Sequence, residues 1–276
     1  MKKAKNNITN WLDKNGTKEM KEQIEKELFY NKIFNENCLD TMAKMPDNFI
    51  DLTVTSPPYD NLRTYKGYSF DFESIAKELF RVTKEGGVVV WVVGDATVKG
   101  SESGTSFRQA LYFMECGFKL HDTMIFKSAK PPLTHKRYEQ EFEYMFVFVK
   151  GKINTFNGIK RKAKTEGGSS GSFMHKNNAK FKKANTIKKT PKEVLRGNIF
   201  EYKTGYTRNG HPAVFPEQLA NDHIISWSNE GDIVYDPFMG SGTTAKMAKI
   251  NNRNWIGSEI SKEYCDIISA RVSALF

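Results

Sequence analysis

Cysteine is scarce in this 276-residue chain, and the three that it has lie far apart. Their odd number and wide spacing exclude a disulfide framework and the short spacings of a structural zinc site. The five histidines form no ligand cluster, so we expect no metal. A reducing compartment suits this composition, and the expected location is the cytoplasm.

Long apolar segments are also missing. The run Val88–Val93 has six residues, whereas a helix that spans a membrane needs about 20. The amino terminus has lysines but no apolar core of signal-peptide length. We therefore expect a soluble protein with no membrane partner.

Acidic residues are nearly absent from one part of the chain. Residues 151–200 contain 13 lysines and arginines but only two acids, while the whole chain has a net charge of +10. A segment with this concentration of positive charge is typical of a surface that contacts phosphates. The alternative is a solvated, lysine-rich loop.

The rest of the chain alternates between strand and helix patterns, which predicts an α/β fold with a mostly parallel sheet. Strands are expected at 49–54, 88–93, 120–126, 142–149, 232–236 and 255–258. Helices are expected at 20–28, 70–82, 105–116, 216–227, 243–250 and 262–272. Residues 34–40 are expected to form a short strand and turn, and Trp91, Trp227 and Trp255 to lie in the core. Asp95 either caps the following segment, which we favour, or faces the substrate cleft.

This pattern divides the chain into four regions. Residues 1–30 are a helical amino-terminal extension. Residues 31–150 and 211–276 are the two halves of one α/β domain. Residues 151–210, which show little periodicity, form a basic insertion between them.

Two prolines follow the first predicted buried strand, in the sequence Thr55-Ser56-Pro57-Pro58-Tyr59. Ligands bind in open α/β sheets where such strands end. Ser56 and the Pro57 carbonyl can accept hydrogen bonds from an amino group on a planar ring, and Tyr59 can stack on that ring. An ordinary turn at a strand end is the structural alternative.

A glycine-rich turn, Asp236–Thr244, lies between a predicted strand and a predicted helix. Its glycines allow a tight turn against which a ligand can lie. Glu259 follows the next strand, where a carboxylate can accept hydrogen bonds from ribose hydroxyls. A helix start without a ligand is the structural alternative.

Three kinds of ligand compete for this turn. A P-loop is disfavoured because no lysine follows the second glycine. The spacing Gly240-x-Gly242-x-x-Ala245 fits the loose fingerprint of a nicotinamide dinucleotide site. In the third interpretation, an S-adenosylmethionine site, Asp236 attracts the ammonium group and Phe238 offers an apolar surface.

We call the segment Thr55–Tyr59 the proline box. Together, the proline box and the later glycine turn resemble the beta class of DNA amino-methyltransferases. The resemblance covers about residues 33–273. It implies a Rossmann-like methyltransferase fold with circularly permuted motif order, in which residues 151–210 recognise the target. It also implies S-adenosylmethionine as cofactor and double-stranded DNA as partner. A homodimer and a restriction–modification context are compatible with it.

The residues and the resemblance together give three sets of expected site residues, of which Asn37, Cys38, Pro212, Phe215 and Pro216 are implied by the resemblance alone. The catalytic set is Ser56, Pro57, Pro58 and Tyr59. The cofactor set is Asn37, Cys38, Pro212, Phe215, Pro216, Asp236, Pro237, Phe238, Gly240, Ser241, Gly242, Thr243 and Glu259. The DNA set is Arg63, Lys136, Arg137, Lys160, Arg161 and Lys162. Asn37 departs from the family pattern, which usually has aspartate there.

The sequence also bears on which group is methylated. Methylation of cytosine carbon 5 is rejected because no cysteine follows a proline, as its nucleophile would. In the family, serine at the first position of the box goes mostly with cytosine N4, so Ser56 favours that target over adenine N6. Families that methylate protein glutamine or RNA usually have the two motifs in the opposite order. A catalytically silent DNA-binding protein with the same fold is a further alternative.

Overall fold

A computed structural model describes residues 17–58, 70–127, 138–163, 192–202 and 216–275. Its helices are α1 (Lys18–Phe29), α2 (Cys38–Met42), α3 (Phe72–Val82), α4 (Thr105–Glu115), α5 (Glu217–Trp227), α6 (Thr243–Ile250) and α7 (Lys262–Ser273). Its strands are β1 (Lys32–Phe34), β2 (Ile50–Thr55), β3 (Thr83–Val93), β4 (Thr97–Val98), β5 (Ser101–Glu102), β6 (Lys119–Lys127), β7 (Phe142–Val149), β8 (Lys160–Lys162), β9 (Glu193–Leu195), β10 (Ile199–Glu201), β11 (Ile233–Asp236) and β12 (Asn254–Ser258).

Eight strands form one sheet in the order β1-β12-β11-β2-β3-β7-β6-β10. Strand β7 pairs antiparallel with both neighbours, and the other pairings in this sheet are parallel. This confirms the predicted α/β fold with a mostly parallel sheet. Strands β2 and β11 are direct neighbours although one lies near each end of the chain.

Helices cover both faces of this sheet. On β3, Val89, Trp91 and Val93 belong to a hydrophobic cluster that also contains buried residues of α3 and α4. Side chains alternate along a strand, so Val90 and Val92 face the opposite side. There α5 packs against the sheet, with His223 in contact with Met145 of β7. Because both faces are covered, β3 is an almost continuous apolar run.

Local capping explains several helix starts. Asn37 Oδ1 accepts from the Leu39 amide at 2.9 Å and begins α2. Residues 34–40 are therefore not only the predicted strand and turn: a five-residue helix too short to show periodicity begins at Cys38. Asp95 Oδ1 accepts from the Ser106 amide at 2.9 Å in the first turn of α4, which confirms its predicted capping role.

Strand β3 is longer than predicted. It begins at Thr83, directly after α3, and Gly86 and Gly87 lie inside it. The pairing with β2 shifts its register between Ile50 and Leu52, which accommodates the extra residues. Gly86 has a φ of 81°, and this left-handed geometry makes glycine suitable there.

Residues 158–198 form a compact unit separate from the rest of the chain. Its described part is an antiparallel pair, with Arg161 of β8 opposite Val194 of β9. The larger unit contains residues up to 157 and from 199 onward. Trp91, Trp227 and Trp255 are buried in it, as expected.

Within the described segments, the three cysteines form no disulfide, and no group of three or more histidine, cysteine or acidic residues could hold a metal ion. None of the helices in these segments combines the length and apolarity that crossing a bilayer requires.

Candidate active site

The proline box and the glycine turn meet at one edge of the sheet. Tyr235 of β11 pairs in parallel register with Thr53 of β2, so both strands reach their carboxyl ends side by side. There Thr55 Oγ1 donates to Asp236 Oδ1 at 2.6 Å, across 181 residues of sequence. Both side chains are buried. The proline box and the glycine turn therefore occupy one location.

The proline box leaves β2 directly at this edge. Pro57 is buried, whereas Ser56 and Pro58 are half-buried. The strand thus delivers Ser56 and the Pro57 carbonyl to the carboxyl end of the sheet on a backbone that Pro57 and Pro58 restrict. Tyr59 and Arg63 lie outside the described residues.

The glycine turn has the tight geometry that its sequence predicts. Gly240 and Gly242 have φ angles of 53° and 85°, in the left-handed region. A Cβ on Gly242 would lie 3.0 Å from Ile268 Cγ1 of α7, so the close packing of that helix also favours glycine. Pro237, Ser241 and Thr243 of the turn are buried.

A third glycine, Gly257 of β12, lies next to this turn and has no signal in the sequence motifs. A Cβ on Gly257 of β12 would lie 2.3 Å from Met239 Cε and 3.0 Å from Ile33 Cδ1. Met239 is buried and its amide donates to the Ser258 carbonyl at 3.0 Å. Gly257 therefore leaves the space in which Met239 anchors the turn.

Phe238 projects from the turn into an aromatic group. Its ring centroid is 5.6 Å from that of Phe70 and 6.2 Å from that of Trp91, both near edge-to-face. The side chain is only partly buried. It therefore combines a fixed orientation with exposed apolar surface.

Glu259 holds the turn through its carboxylate. Oε2 accepts from the Gly240 amide at 2.9 Å, and Oε1 accepts from the Ser261 amide at 2.8 Å. Burial raises the pKa of this carboxyl above its usual range, against the lowering effect of these backbone hydrogen bonds. Each carboxylate oxygen has two lone pairs, so capacity for ribose hydroxyls remains.

Asp236 is the most deeply buried acid at this edge. Burial raises its pKa to about 6, although hydrogen bonds from Thr55, the Phe238 amide and Thr244 lower it. Phe238 N donates to the same oxygen as Thr55, at 3.0 Å. At neutral pH this carboxylate supplies negative charge at the carboxyl end of β11.

Asn37 and Cys38 lie beside the Glu259 segment, because β1 pairs with β12 and both strands end there. The side chain of Asn37 caps α2, and Cys38 is buried. Asn35, which the sequence analysis missed, donates from Nδ2 to the Glu259 and Ile260 carbonyls, each at 3.0 Å. These bonds tie the two loops together.

An ion-pair network that the sequence analysis also missed supports the turn from α7. Arg271 Nη1 donates to the Ser241 carbonyl at 2.8 Å, and Nη2 pairs with Glu217. Lys246 Nζ lies 2.7 Å from Glu217 Oε1. Glu217 begins α5 directly after the half-buried Pro216. Pro212 and Phe215 lie outside the described residues.

The predicted DNA residues are only partly described. Lys160, Arg161 and Lys162 are consecutive and exposed on β8. Lys136 and Arg137 lie outside the described residues.

Comparison with known proteins gives a family for this fold and site. The family model for N6/N4 DNA methylases matches residues 50–270. The chain belongs to the N6/N4 DNA methylase family. This methylase is 58% identical over 240 residues to the orphan methyltransferase M.BamHII of Bacillus amyloliquefaciens, covering 82% of this chain and 89% of that protein. It is 28% identical over 251 residues to the type II methyltransferase M.BglII of Bacillus subtilis, covering 86% and 67%.

Solved structures share the fold. The cytosine-N4-specific PvuII DNA methyltransferase superposes with a TM-score of 0.66 at 21% identity, covering 87% of this chain and 85% of that one. M1.HpyAVI, solved with S-adenosylmethionine, gives a TM-score of 0.57 at 24% identity, with 87% and 98% covered. The predicted family and the Rossmann-like methyltransferase fold are confirmed.

Proposed function

We propose that this DNA methylase transfers a methyl group from S-adenosylmethionine to the N4 amine of cytosine in double-stranded DNA. The observation that carries the proposal is the Thr55–Asp236 hydrogen bond of 2.6 Å. It brings the box that can bind an amine and the turn that can bind the cofactor to one edge of the sheet.

The residues at this edge suit S-adenosylmethionine. Asp236 offers negative charge for the ammonium group, the left-handed glycines allow close approach to backbone, and Glu259 has lone pairs for the ribose. Phe238 adds apolar surface. When bound, the cofactor supplies an activated methyl group on a sulfonium.

The box suits the amine. The nitrogen of cytosine N4 is a poor nucleophile because its lone pair is delocalised into the ring. Ser56 Oγ and the Pro57 carbonyl can accept hydrogen bonds from the two N–H groups and draw the nitrogen toward a tetrahedral geometry that frees the pair. Holding the amine and the methyl donor in line at this edge of the sheet then accounts for much of the rate enhancement. The base leaves the duplex to reach this edge, which costs a few kcal/mol.

Adenine N6 is the second candidate target, because the family contains both specificities. Ser56 at the first box position supports cytosine. The relatives' names include an orphan methyltransferase and a type II methyltransferase, so we propose a role in DNA modification with or without a partner endonuclease. The division into domains, the cytoplasmic location and the homodimer stay predictions.

Mass spectrometry of nucleosides tests the proposal directly. Unmethylated plasmid DNA of varied sequence is incubated with the protein and methyl-deuterated cofactor, then digested. We expect deuterated N4-methyldeoxycytidine. Deuterated N6-methyldeoxyadenosine would support the adenine alternative, and the absence of label from both nucleosides, with DNA binding retained, would support a silent binding protein.

A further inference from the structure

The Thr55–Asp236 contact belongs to a small buried network. Thr55 and Thr244 have at most 1% of their surface exposed, and Asp236 has 5%. Thr55 and Phe238 N both donate to Asp236 Oδ1. Thr244, in the first turn of α6, lies near enough to the Asp236 carboxyl to lower its pKa. The network thus joins the end of β2, the turn after β11 and the start of α6.

The threonine hydroxyls of this network have one proton each to donate. Thr55 is therefore the donor to Asp236 that is hardest to replace. Thr244 Oγ1 donates to the Val54 carbonyl at 3.2 Å. A hydroxyl has one proton, so Thr244 cannot give it fully to Asp236 as well. Thr55 gives its proton to Asp236 at 2.6 Å. A buried carboxylate depends on such donors because it has lost hydration.

We propose that Thr55 is a positioning residue: its hydroxyl fixes the Asp236 carboxylate and so couples the Ser56–Pro58 segment to the turn that binds the cofactor. This rests on the proposed function, since Asp236 is the group assigned to the cofactor's ammonium. Thr55 itself is not expected to touch the cofactor or the base.

The electrostatics give the proposal a measurable signature. The Thr55 hydrogen bond lowers the pKa of Asp236, which burial and the charge of Glu259 raise. Glu259 follows β12, and the neighbouring Tyr235, whose own pKa is raised well above 10, stays neutral. Removing the Thr55 hydroxyl therefore raises the Asp236 pKa further. The carboxylate is then less ionised between pH 6 and 7.

The chain offers a matched control on the same strand. Thr53 is also completely buried on β2, but its hydroxyl has no hydrogen-bond partner among the residues that the structure describes. Thr55→Val and Thr53→Val remove the same atom from the same strand. Thr55→Ser keeps the hydroxyl and loses only a methyl group, so it tests for rescue.

The first measurement uses the protein without cofactor. The free energy of unfolding is measured in urea from pH 5 to 8. A carboxyl with a raised pKa contributes stability that is lost as pH rises through the folded-state value. In the wild type this loss runs from about pH 4, the ordinary carboxyl value, to about pH 6, and the contribution levels off above that. In Thr55→Val it extends by about one pH unit upward, while Thr53→Val and Thr55→Ser follow the wild type.

The second measurement is the affinity for S-adenosylmethionine by calorimetry over the same range. A pKa rise of one unit makes Thr55→Val bind about fivefold more weakly than wild type at pH 6, with the difference shrinking by pH 8. Equal profiles for Thr55→Val and Thr53→Val in both measurements would overturn the positioning role. No cofactor binding by the wild type would instead overturn the proposed function, while the unfolding profiles would still report on Thr55.

Discussion

Ser56 is the residue of the proline box whose side chain can accept a hydrogen bond from the target amine. It is half-buried at the end of β2, next to the buried pair formed by Thr55 and Asp236. Its role is therefore separable from cofactor binding, which the proposal assigns to the turn after β11.

Replacing Ser56 by alanine should lower the turnover number about 100-fold, the scale on which one oriented polar group contributes to a transition state. Cofactor affinity, measured by calorimetry, should stay within about twofold of wild type because the turn is untouched. Ser101→Ala, in an exposed part of β5, is the control. Loss of cofactor binding in Ser56→Ala would show that the residue supports the turn instead.

His223 is a buried histidine that the proposed reaction does not use. Trp227 Nε1 donates to His223 Nδ1 at 3.1 Å, which leaves the ring proton on Nε2, 3.3 Å from Met145 Sδ. Indole can only donate, so this arrangement requires the neutral ring. Burial accordingly lowers the pKa of His223 to about 3.

This histidine should make the protein sensitive to acid. In the unfolded chain it binds a proton below about pH 6.5, whereas in the native state it does not until about pH 3. The free energy of unfolding should fall over that interval as pH is lowered, by up to about 1.4 kcal/mol per pH unit. His223→Gln should flatten this slope in urea titrations. The exposed His121, changed to glutamine, should leave it as in the wild type.

At the scale of whole elements, α7 stabilises the turn between β11 and α6. Arg271 reaches the Ser241 carbonyl with one nitrogen and Glu217 of α5 with the other. One guanidinium thus connects three segments, and only 14% of its side chain is exposed. The fork geometry of arginine allows both contacts at once, which a lysine cannot reproduce.

Arg271→Met should lower the free energy of unfolding by about 1–3 kcal/mol, because it leaves the Ser241 carbonyl without a charged donor and Glu217 with Lys246 as its remaining charged partner. It should also weaken cofactor binding. Lys262→Met on the same helix is the control, since its pair with Asp266 is mostly exposed and such pairs contribute little. A melting temperature equal to wild type in Arg271→Met would contradict this role for α7.

Patterns of local sequence predict most elements of the fold. The apolar run at 142–149 coincides with β7, and the run at 88–93 forms the second half of β3. The predicted helices at 105–116, 216–227 and 243–250 agree with the structure to within one residue. Helix α2 has no periodic signal because five residues complete little more than one turn. The two short strands β8 and β9 have no alternation that could distinguish them from loop.

The arrangement of the site is predictable only in part. Motif spacing predicts the turn glycines and Glu259, since the turn and the strand after it are adjacent in sequence. Thr55 and Arg271 carry no such signal. Thr55 directly precedes Ser56, and no pattern marks its side chain. Arg271 resembles an exposed charge on an amphipathic helix. Both side chains meet their hydrogen-bond partners only through tertiary packing.

At the scale of the whole molecule, positive charge is concentrated in one part of the sequence. Residues 151–200 have 13 basic and two acidic residues, and Lys160, Arg161 and Lys162 lie exposed in the separate unit 158–198. A DNA methylase needs affinity for the phosphate backbone, and a compact basic unit can supply it. We infer that this unit contacts DNA.

Changing Lys160, Arg161 and Lys162 to alanine should weaken DNA binding and reduce its salt dependence. The slope of log K against log salt should fall by about 0.9 for each phosphate that the variant no longer neutralises. Fluorescence anisotropy with a labelled duplex at several salt concentrations measures it. Lys119→Ala, an exposed lysine at the start of β6, is the control. An unchanged slope in the triple variant would assign DNA binding to other residues.

The order of strands also has a consequence for how the protein is made. Strand β1 pairs with β12, and their following loops are bonded across 224 residues. During synthesis, the first strand of the sheet leaves the ribosome long before its partner exists. Its edge, together with that of β2, stays uncovered until the last two strands emerge. The growing chain therefore carries two unpaired β-edges for most of its translation, and unpaired edges are sites at which chains aggregate.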